Sequence, residues 1–417
     1  MSHSHGGHAG HAGHSHDHAT SVRVAPVPLL ALLGGLGLVA LLTVVGLVRW
    51  WPDQTAYDKV HGSMTWSGPG VTQVDAVVER VQPRCAEPLD TQPTCGQAEV
   101  RLADGPEKGS TQLVGIAPEV ASSGLRKGDS AKVLRTAPAD GSAVVYSWLD
   151  VHRGVPLWVL AAVFVAVVVA VARLRGLMAL LSLGIAGGVV GLYLVPALLS
   201  GVPALPAAVV ASLAIMFLVL FLTHGPSART GAALGGTVIG IALTALTAWV
   251  AVDAGRLTGV VDDAGSTLAS TVPDLSLHGV LAATIVLAGL GALNDVTITQ
   301  ASAVWELHEL APDLSSWSLF RRAMRIGRDH VASTIYTLAF AYVGTGLTLL
   351  LVLGLYDRSL VSLLGTEDLA EEIVRSLAGG LGLVLAMPAT TALAVWLVRG
   401  SSLAGTAASG PGRRRAR

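Results

Sequence analysis

The feature that most constrains this chain is a series of long apolar runs. A helix needs about 20 apolar residues to cross the hydrocarbon core of a bilayer, and eight runs of that order occur. They are residues 27–48, 155–172, 177–199, 203–223, 230–252, 279–302, 333–356 and 377–398. The sequence therefore predicts a polytopic α-helical membrane protein with about eight transmembrane helices, seven of them in one block over residues 155–398.

The composition excludes an ordinary cytosolic globule. Hydrophobic residues make up 52% of the 417 residues and charged residues only 13%, whereas a soluble domain carries about 25% charged residues. The formal net charge is −1, so no basic excess points to nucleic acid as a partner. The partners that the sequence predicts are the lipid bilayer, an unknown small solute or ion, and a second copy of the chain.

The basic residues predict the orientation, because cytoplasmic loops of membrane proteins are rich in Lys and Arg. With the N-terminus inside, the short outer loops hold only Arg256, Arg358 and Arg375. The inner segments then hold Arg23, Arg173, Arg175, Arg229, Arg321, Arg322, Arg325, Arg328, Arg399, Arg413, Arg414, Arg415 and Arg417. This bias predicts a multi-pass membrane protein with both termini cytoplasmic, ending in a basic tail at 399–417.

The first apolar run is expected to be a retained anchor. It is too long for a signal peptide, and no small-residue cleavage site follows it before Trp50 and Trp51. The cytoplasmic residues 1–26 precede it and residues 53–152 follow it, outside the cytoplasm.

Residues 53–152 differ from the rest because charge returns and Val-rich runs alternate with polar residues between Gly, Pro and Asp. Five strands are predicted, at residues 71–83, 97–103, 111–117, 130–137 and 142–150. They favour a small, mostly-β extracytoplasmic domain, either a closed or a half-open barrel of OB-like type.

Both cysteines of the chain, Cys85 and Cys95, lie in this outer domain. A disulfide is chemically permitted outside the cytoplasm, and a bridge between them is predicted. The alternative is two unpaired thiols.

The N-terminal tail combines histidines with Gly, Ser and Ala, a composition expected to be disordered. Neutral imidazoles bind zinc, nickel and copper, so weak divalent metal binding by the tail is one interpretation and a solvated leader is the other. The histidines are His3, His5, His8, His11, His14, His16 and His18. No other cofactor is predicted.

The most specific polar feature lies toward the inner end of the sixth run, in GALNDVTITQASAVWELHEL. Asn294 and Asp295 interrupt the apolar sequence there, and Asp295, Thr299, Ser302 and Glu306 share one helical stripe. Asp295 is about 24 Å along the helix from Gly279. A carboxylate at that depth is costly unless it faces a cavity or a counter-charge, so this stripe predicts an ion or solute path. The alternative is that the helix leaves the membrane near Asn294 and the polar residues are solvated.

A second polar cluster, FRRAMRIGRDHVASTIYTLAFAYVGTG, opens the seventh run. Arg328, Asp329 and His330 precede Ser333 and Thr337, again at helical spacing. The sixth and seventh helices are therefore predicted to face each other. Arg328 or His330 would supply the counter-charge for Asp295 or Glu306.

These two segments resemble the most recognisable parts of the YibE/F family of bacterial multi-pass membrane proteins, over about residues 70 to 400. The resemblance implies a strand-rich outer domain followed by a seven-helix block, located in the plasma membrane of a bacterium, and it brings no established activity. This chain departs from the expected small residue after Arg-Asp because His330 stands there.

Glycines at four-residue spacing predict close helix packing, since GxxxG lets two helix backbones approach. The pairs are Gly184 with Gly188, Gly187 with Gly191, Gly231 with Gly235, and Gly236 with Gly240.

The leading functional hypothesis is a secondary transporter or permease-like protein with its polar path at the sixth and seventh helices. The alternative is a membrane-anchored receptor or envelope assembly factor whose outer domain binds a ligand or partner. An enzyme is not predicted, because no HExxH or GxSxG motif occurs and no SxxK motif stands in a suitable setting. A GxxxxGK[ST] loop is also missing, so coupling of transport to ATP would need a partner chain.

Overall fold

The structure, a computed structural model, describes residues 24, 26–63, 70–82, 96–138, 141–260, 263–355 and 359–407. Helices dominate it, and one small sheet lies near the N-terminal end of the chain. The helices are α1 (Pro26–Arg49), α2 (Gln54–Ser63), α3 (Pro118–Ser122), α4 (Gly154–Val189), α5 (Val195–Leu199), α6 (Ala204–His224), α7 (Ala228–Ala254), α8 (Asp263–Thr271), α9 (Leu277–Leu310), α10 (Ser316–Thr345), α11 (Leu347–Gly354), α12 (Leu360–Leu364) and α13 (Glu367–Ala407). A π-helical turn, Val190–Leu194, joins α4 to α5.

The predicted outer domain contains one antiparallel sheet of five strands in the order β3-β2-β1-β4-β5. The strands are β1 (Val71–Val81), β2 (Gln97–Leu102), β3 (Thr111–Gly115), β4 (Ser130–Thr136) and β5 (Val145–Val151). Val74, Val78, Val100 and Val133 are buried on one face, as alternation along a strand requires. The prediction of five strands is confirmed. The sheet is a half-barrel, since β3 and β5 are not hydrogen-bonded to each other in the described part of the chain.

Six described helical stretches are long and apolar enough to cross a membrane, or seven if one bent pair is a single span. The bent pair is α10 with α11, which meet at 61°, so the predicted run 333–356 contains a bend. The bend falls at Gly346, which separates the two helices and ends α10. The predicted count of eight is not confirmed.

With the bent pair counted as one span, the number is seven. The remaining difference from eight arises because the second and third predicted runs both lie in the 46-residue stretch Gly154–Leu199. Arg173 breaks the helix there with φ 54° and ψ −132°. A Cβ added to Gly176 would lie 2.7 Å from the backbone oxygen of Val168, although residues eight apart in a straight helix are separated by about 12 Å. The chain therefore bends sharply at Arg173.

Helices α7, α9 and α13 form the tightest part of the bundle, which we call the central seam and define by Gly236, Gly240, Thr297 and Thr390. A Cβ on Gly240 would lie 2.6 Å from Leu293 of α9 and 2.9 Å from Ala386 of α13. A Cβ on Gly236 would overlap the side chain of Thr390.

The prediction of close packing holds for the glycines of α7 but not for those of α4. Leu32 of α1 and Leu393 of α13 occupy the positions next to Gly231 and Gly235, respectively. By contrast, no described atom lies within 4 Å of a Cβ added to any of the four predicted glycines of the α4 region. These glycines are Gly184, Gly187, Gly188 and Gly191.

Candidate functional site

The predicted polar stripe of α9 lies on the surface of the helical bundle. Asp295, Thr299 and Glu306 are exposed, and the side chain of Asp295 retains 63% of its accessible area. Ser302 is half-buried, and its hydroxyl donates a hydrogen bond to the backbone oxygen of Ile298, 2.8 Å away. The stripe thus marks the side of α9 that faces away from the central seam.

Helix α10 brings one predicted residue to this stripe. The Nε2 of His330 lies 3.3 Å from Oδ2 of Asp295. Nε2 is buried and has no hydrogen-bond partner among the described residues. Of the alternatives predicted for a counter-charge, Arg328 or His330 beside Asp295 or Glu306, the structure brings His330 next to Asp295.

The other predicted residues of α10 do not join this pair. Arg328, Asp329, Ser333 and Thr337 are exposed, and the Thr337 hydroxyl donates to the backbone oxygen of Ser333 at 3.1 Å. Neither Arg328 nor Asp329 makes an ion pair in the described part of the chain. The seventh-run stripe therefore lies on the outside of α10 and does not face α9.

Sequence reasoning missed a cavity of about 1120 Å³ between the second half of α4, α6 and α9. We call it the lateral cavity. Of the predicted site residues only Asn294 lines it. Gly291 also lines it, and Asp295 is one helical turn from Gly291 on the same exposed stripe. The predicted acidic position therefore borders the cavity without lying in it.

The lateral cavity has a basic end and two buried polar atoms. Arg175, His224 and Arg229 line it where α4, α6 and α7 come together. The Oγ of Ser182 and the Oδ1 of Asn294 are buried and have no hydrogen-bond partner among the described residues. The sequence shows that each of these three residues lies at the end of a predicted span. Only the packing of the helices shows that all three line the same cavity.

A second set of buried polar residues fills the central seam, and its hydrogen bonds are satisfied. The hydroxyl oxygens of Thr237 and Thr297 lie 2.8 Å apart. Gln300 Nε2 donates to Thr391 Oγ1 at 2.7 Å, and that hydroxyl donates to the Met387 backbone oxygen at 2.8 Å. Satisfied polar groups in a dry contact fix helix register, so these residues are structural.

The outer domain contains a tight polar cluster that is also structural. Arg135 donates to both carboxylate oxygens of Glu107 at 2.8 Å, and the Tyr146 hydroxyl donates to Glu107 at 2.6 Å. These bonds, that from Arg135 first, lower the pKa of Glu107 to about 2. The cluster ties the loop after β2 to β4 and β5 and leaves no charge free for a ligand.

The remaining predicted sites lie outside the described residues. These are the tail histidines and both cysteines of the predicted disulfide, so metal binding and the bridge stay predictions. Within the described ranges, no three His, Cys, Asp or Glu side chains converge on a metal position.

The long apolar helices and their packing define a multi-helix protein of membrane type. Residues 160–400 match the family described as YibE/F-like protein, which is more than half of the 417 residues. The chain belongs to this family, as the two polar segments predicted. The match begins after the outer sheet, so the expected extent from residue 70 is corrected to the helical block. No curated protein and no solved structure matches the chain.

Proposed function

We propose that the protein is a permease-like component of the bacterial plasma membrane, with a path for a small solute or ion along the exposed stripe of α9. One observation supports this most directly. Asp295 of α9 lies beside His330 of α10 and one helical turn from Gly291, which lines the lateral cavity, while the opposite face of α9 is packed in the central seam. Ionisable residues within spanning helices generally face a cavity or pair with one another.

The same proposal orients the chain with both termini in the cytoplasm. Arg175, His224 and Arg229 line one end of the lateral cavity, as residues on one side of the membrane would. We further propose that Gly154–Leu199 crosses the bilayer twice. A straight helix of 46 residues would extend about 69 Å, far beyond a hydrocarbon core of about 30 Å, and the bend at Arg173 divides it.

The path requires no catalytic step from the protein. Asp295 would attract a cation, or it would carry a proton that His330 exchanges with it. A carboxylate and an imidazole are the groups that proton relays in membranes use.

The test is ion flux in proteoliposomes. The protein would be reconstituted with a pH-sensitive dye trapped inside, and fluxes of protons, Na⁺ and K⁺ would be followed. Asp295→Asn keeps the shape and removes the charge, so flux of the transported ion should fall to the level of empty liposomes. His330→Gln should reduce it as well.

Asp329→Asn is the matched control, because Asp329 is also an exposed carboxylate at the start of the predicted seventh run but has no ion pair in the described structure. Its flux should stay at the wild-type level. Equal flux in the wild type and in Asp295→Asn, at equal reconstituted amounts, would refute the path, as would equal losses in the two Asp variants.

A further inference from the structure

The volume of the lateral cavity is larger than the passage of an ion would require. Its volume is about 1120 Å³, whereas pockets for drug-sized ligands measure about 300–1,000 Å³. Ile215, Met216 and Leu290 line it from α6 and α9 and are buried. Apolar walls of this kind offer nothing to a hydrated ion and fit hydrocarbon.

The cavity is open along α4, which forms its edge. Leu183 lines the cavity and is 65% exposed. Gly187 also lines it, and a Cβ there would meet no described atom within 4 Å. Because this edge belongs to an apolar helix, the opening faces the region where lipid chains would lie.

The charge at one end of the cavity is positive and uncompensated. Arg175 and Arg229 are exposed and line the cavity beside His224. The lining residues include no Asp or Glu, and neither guanidinium makes an ion pair within the described ranges. Basic pockets between transmembrane helices bind the headgroups of anionic lipids, and guanidinium groups match the geometry of phosphate.

Two polar groups stand between the basic end and the apolar walls. Ser182 is 3% exposed, and its Oγ has no partner among the described residues. The Oδ1 of Asn294 is also buried and also has no partner among the described residues. A buried polar group without a partner is costly. An ester oxygen of a lipid would accept a hydrogen bond from the Ser182 hydroxyl, and a hydroxyl of the headgroup would donate one to the Asn294 Oδ1.

We propose that the lateral cavity binds one phospholipid with an anionic headgroup. The phosphate lies at Arg175 and Arg229, the glycerol region at Ser182 and Asn294, and an acyl chain along α6 and α9. This site is separate from the Asp295–His330 pair, and the proposal holds whether or not the protein transports an ion.

The test uses native mass spectrometry of the full-length protein in detergent, with phosphatidylglycerol and phosphatidylcholine added at equal concentration. Each basic residue near an anionic lipid contributes about 1 kcal/mol. The two arginines should therefore give a roughly 30-fold preference for phosphatidylglycerol. In Arg175→Gln/Arg229→Gln this preference should fall to about one.

The matched control is Arg321→Gln/Arg322→Gln, which removes two exposed arginines of α10 that do not line the cavity. Its preference should equal that of the wild type. Loss of preference in both double variants, or in neither, would overturn the proposal.

A third variant tests the apolar part without changing charge. Gly187→Leu places a side chain in the open cavity, so binding of both lipids should fall, while lipid-free unfolding stays as in the wild type. Unchanged binding would contradict occupation of the cavity.

A final arm separates a lipid from a free anion. Inorganic phosphate and glycerol 3-phosphate should not displace phosphatidylglycerol at millimolar concentration, because they lack the acyl chain. If either displaces it fully, the site binds free phosphate and the lipid proposal is wrong.

Discussion

The central seam and the lateral cavity lie on two sides of the same helix, α9, and both adjoin glycines at four-residue spacing. At the seam, Gly236 and Gly240 of α7 are in tight contact with α13 and α9, and the polar groups there are satisfied. At the cavity, Gly187 meets no described atom, and Ser182 and Asn294 have unpartnered oxygens. The spacing of small residues therefore allows two helices to pack closely. Whether they do so depends on the position of the neighbouring helix.

The largest expected effect compares Gly236→Val at the seam with Gly188→Val on α4. The added atoms at Gly236 would overlap Thr390, so α7 and α13 must separate. Overpacking of this kind should lower the free energy of unfolding by about 3 kcal/mol, measured by denaturant unfolding in detergent.

The Gly188 variant should show no such loss, because a Cβ there meets no described atom within 4 Å. Similar losses in the two variants would mean that α4 is as tightly packed as the seam, and the comparison would fail.

A smaller effect is expected from the buried amides. Gln300→Met removes the hydrogen bond to Thr391 while keeping the length of the side chain, and should lower the free energy of unfolding by about 1 kcal/mol. Asn294→Leu removes an amide whose Oδ1 has no described partner and should cause no loss. The same unfolding experiment measures both, and a greater loss for Asn294→Leu would show that the cavity wall is closed in the folded protein.

The smallest effect is expected from Ser182→Ala, which deletes a buried hydroxyl without a described partner. In lipid-free detergent its stability should equal that of the wild type or rise, because the deleted hydroxyl has no described hydrogen bond to lose. Thr237→Val is the comparison at the seam, since it removes the hydroxyl next to Thr297, and thermal unfolding should show the larger decrease there. If Ser182→Ala lowers the stability as much as Thr237→Val does, the Ser182 hydroxyl must have a hydrogen-bond partner in the folded protein, and the comparison would fail.

Much of the fold follows from local pattern. Apolar runs of spanning length became helices, and Val-rich alternation became the five strands, because both signals are carried by neighbouring residues. The bends were less visible. Gly346 and Arg173 each interrupt a helix, but many other glycines and arginines of this chain do not. The residue type alone therefore does not show where a helix breaks, and the predicted number of spans was not confirmed.

The candidate site was predicted only in part. Arg328 or His330 was expected beside Asp295 or Glu306, because an isolated charge in an apolar helix needs a partner, and His330 lies beside Asp295. Asp329, Ser333 and Thr337 share the same spacing yet lie on the outer side of α10. Helical periodicity gives relative angles along one helix and leaves the rotation of that helix against its neighbours undetermined.

The sequence by itself determined a membrane-type helical block, a five-stranded sheet near the N-terminal end and membership of the YibE/F-like family, since each depends on composition or on residues close in the chain. The tertiary structure decided which glycines are in contact, where the chain bends and that Arg175, Arg229, Ser182 and Asn294 share one cavity. Those facts depend on contacts between helices far apart in sequence, and such contacts are set by the joint packing of several surfaces.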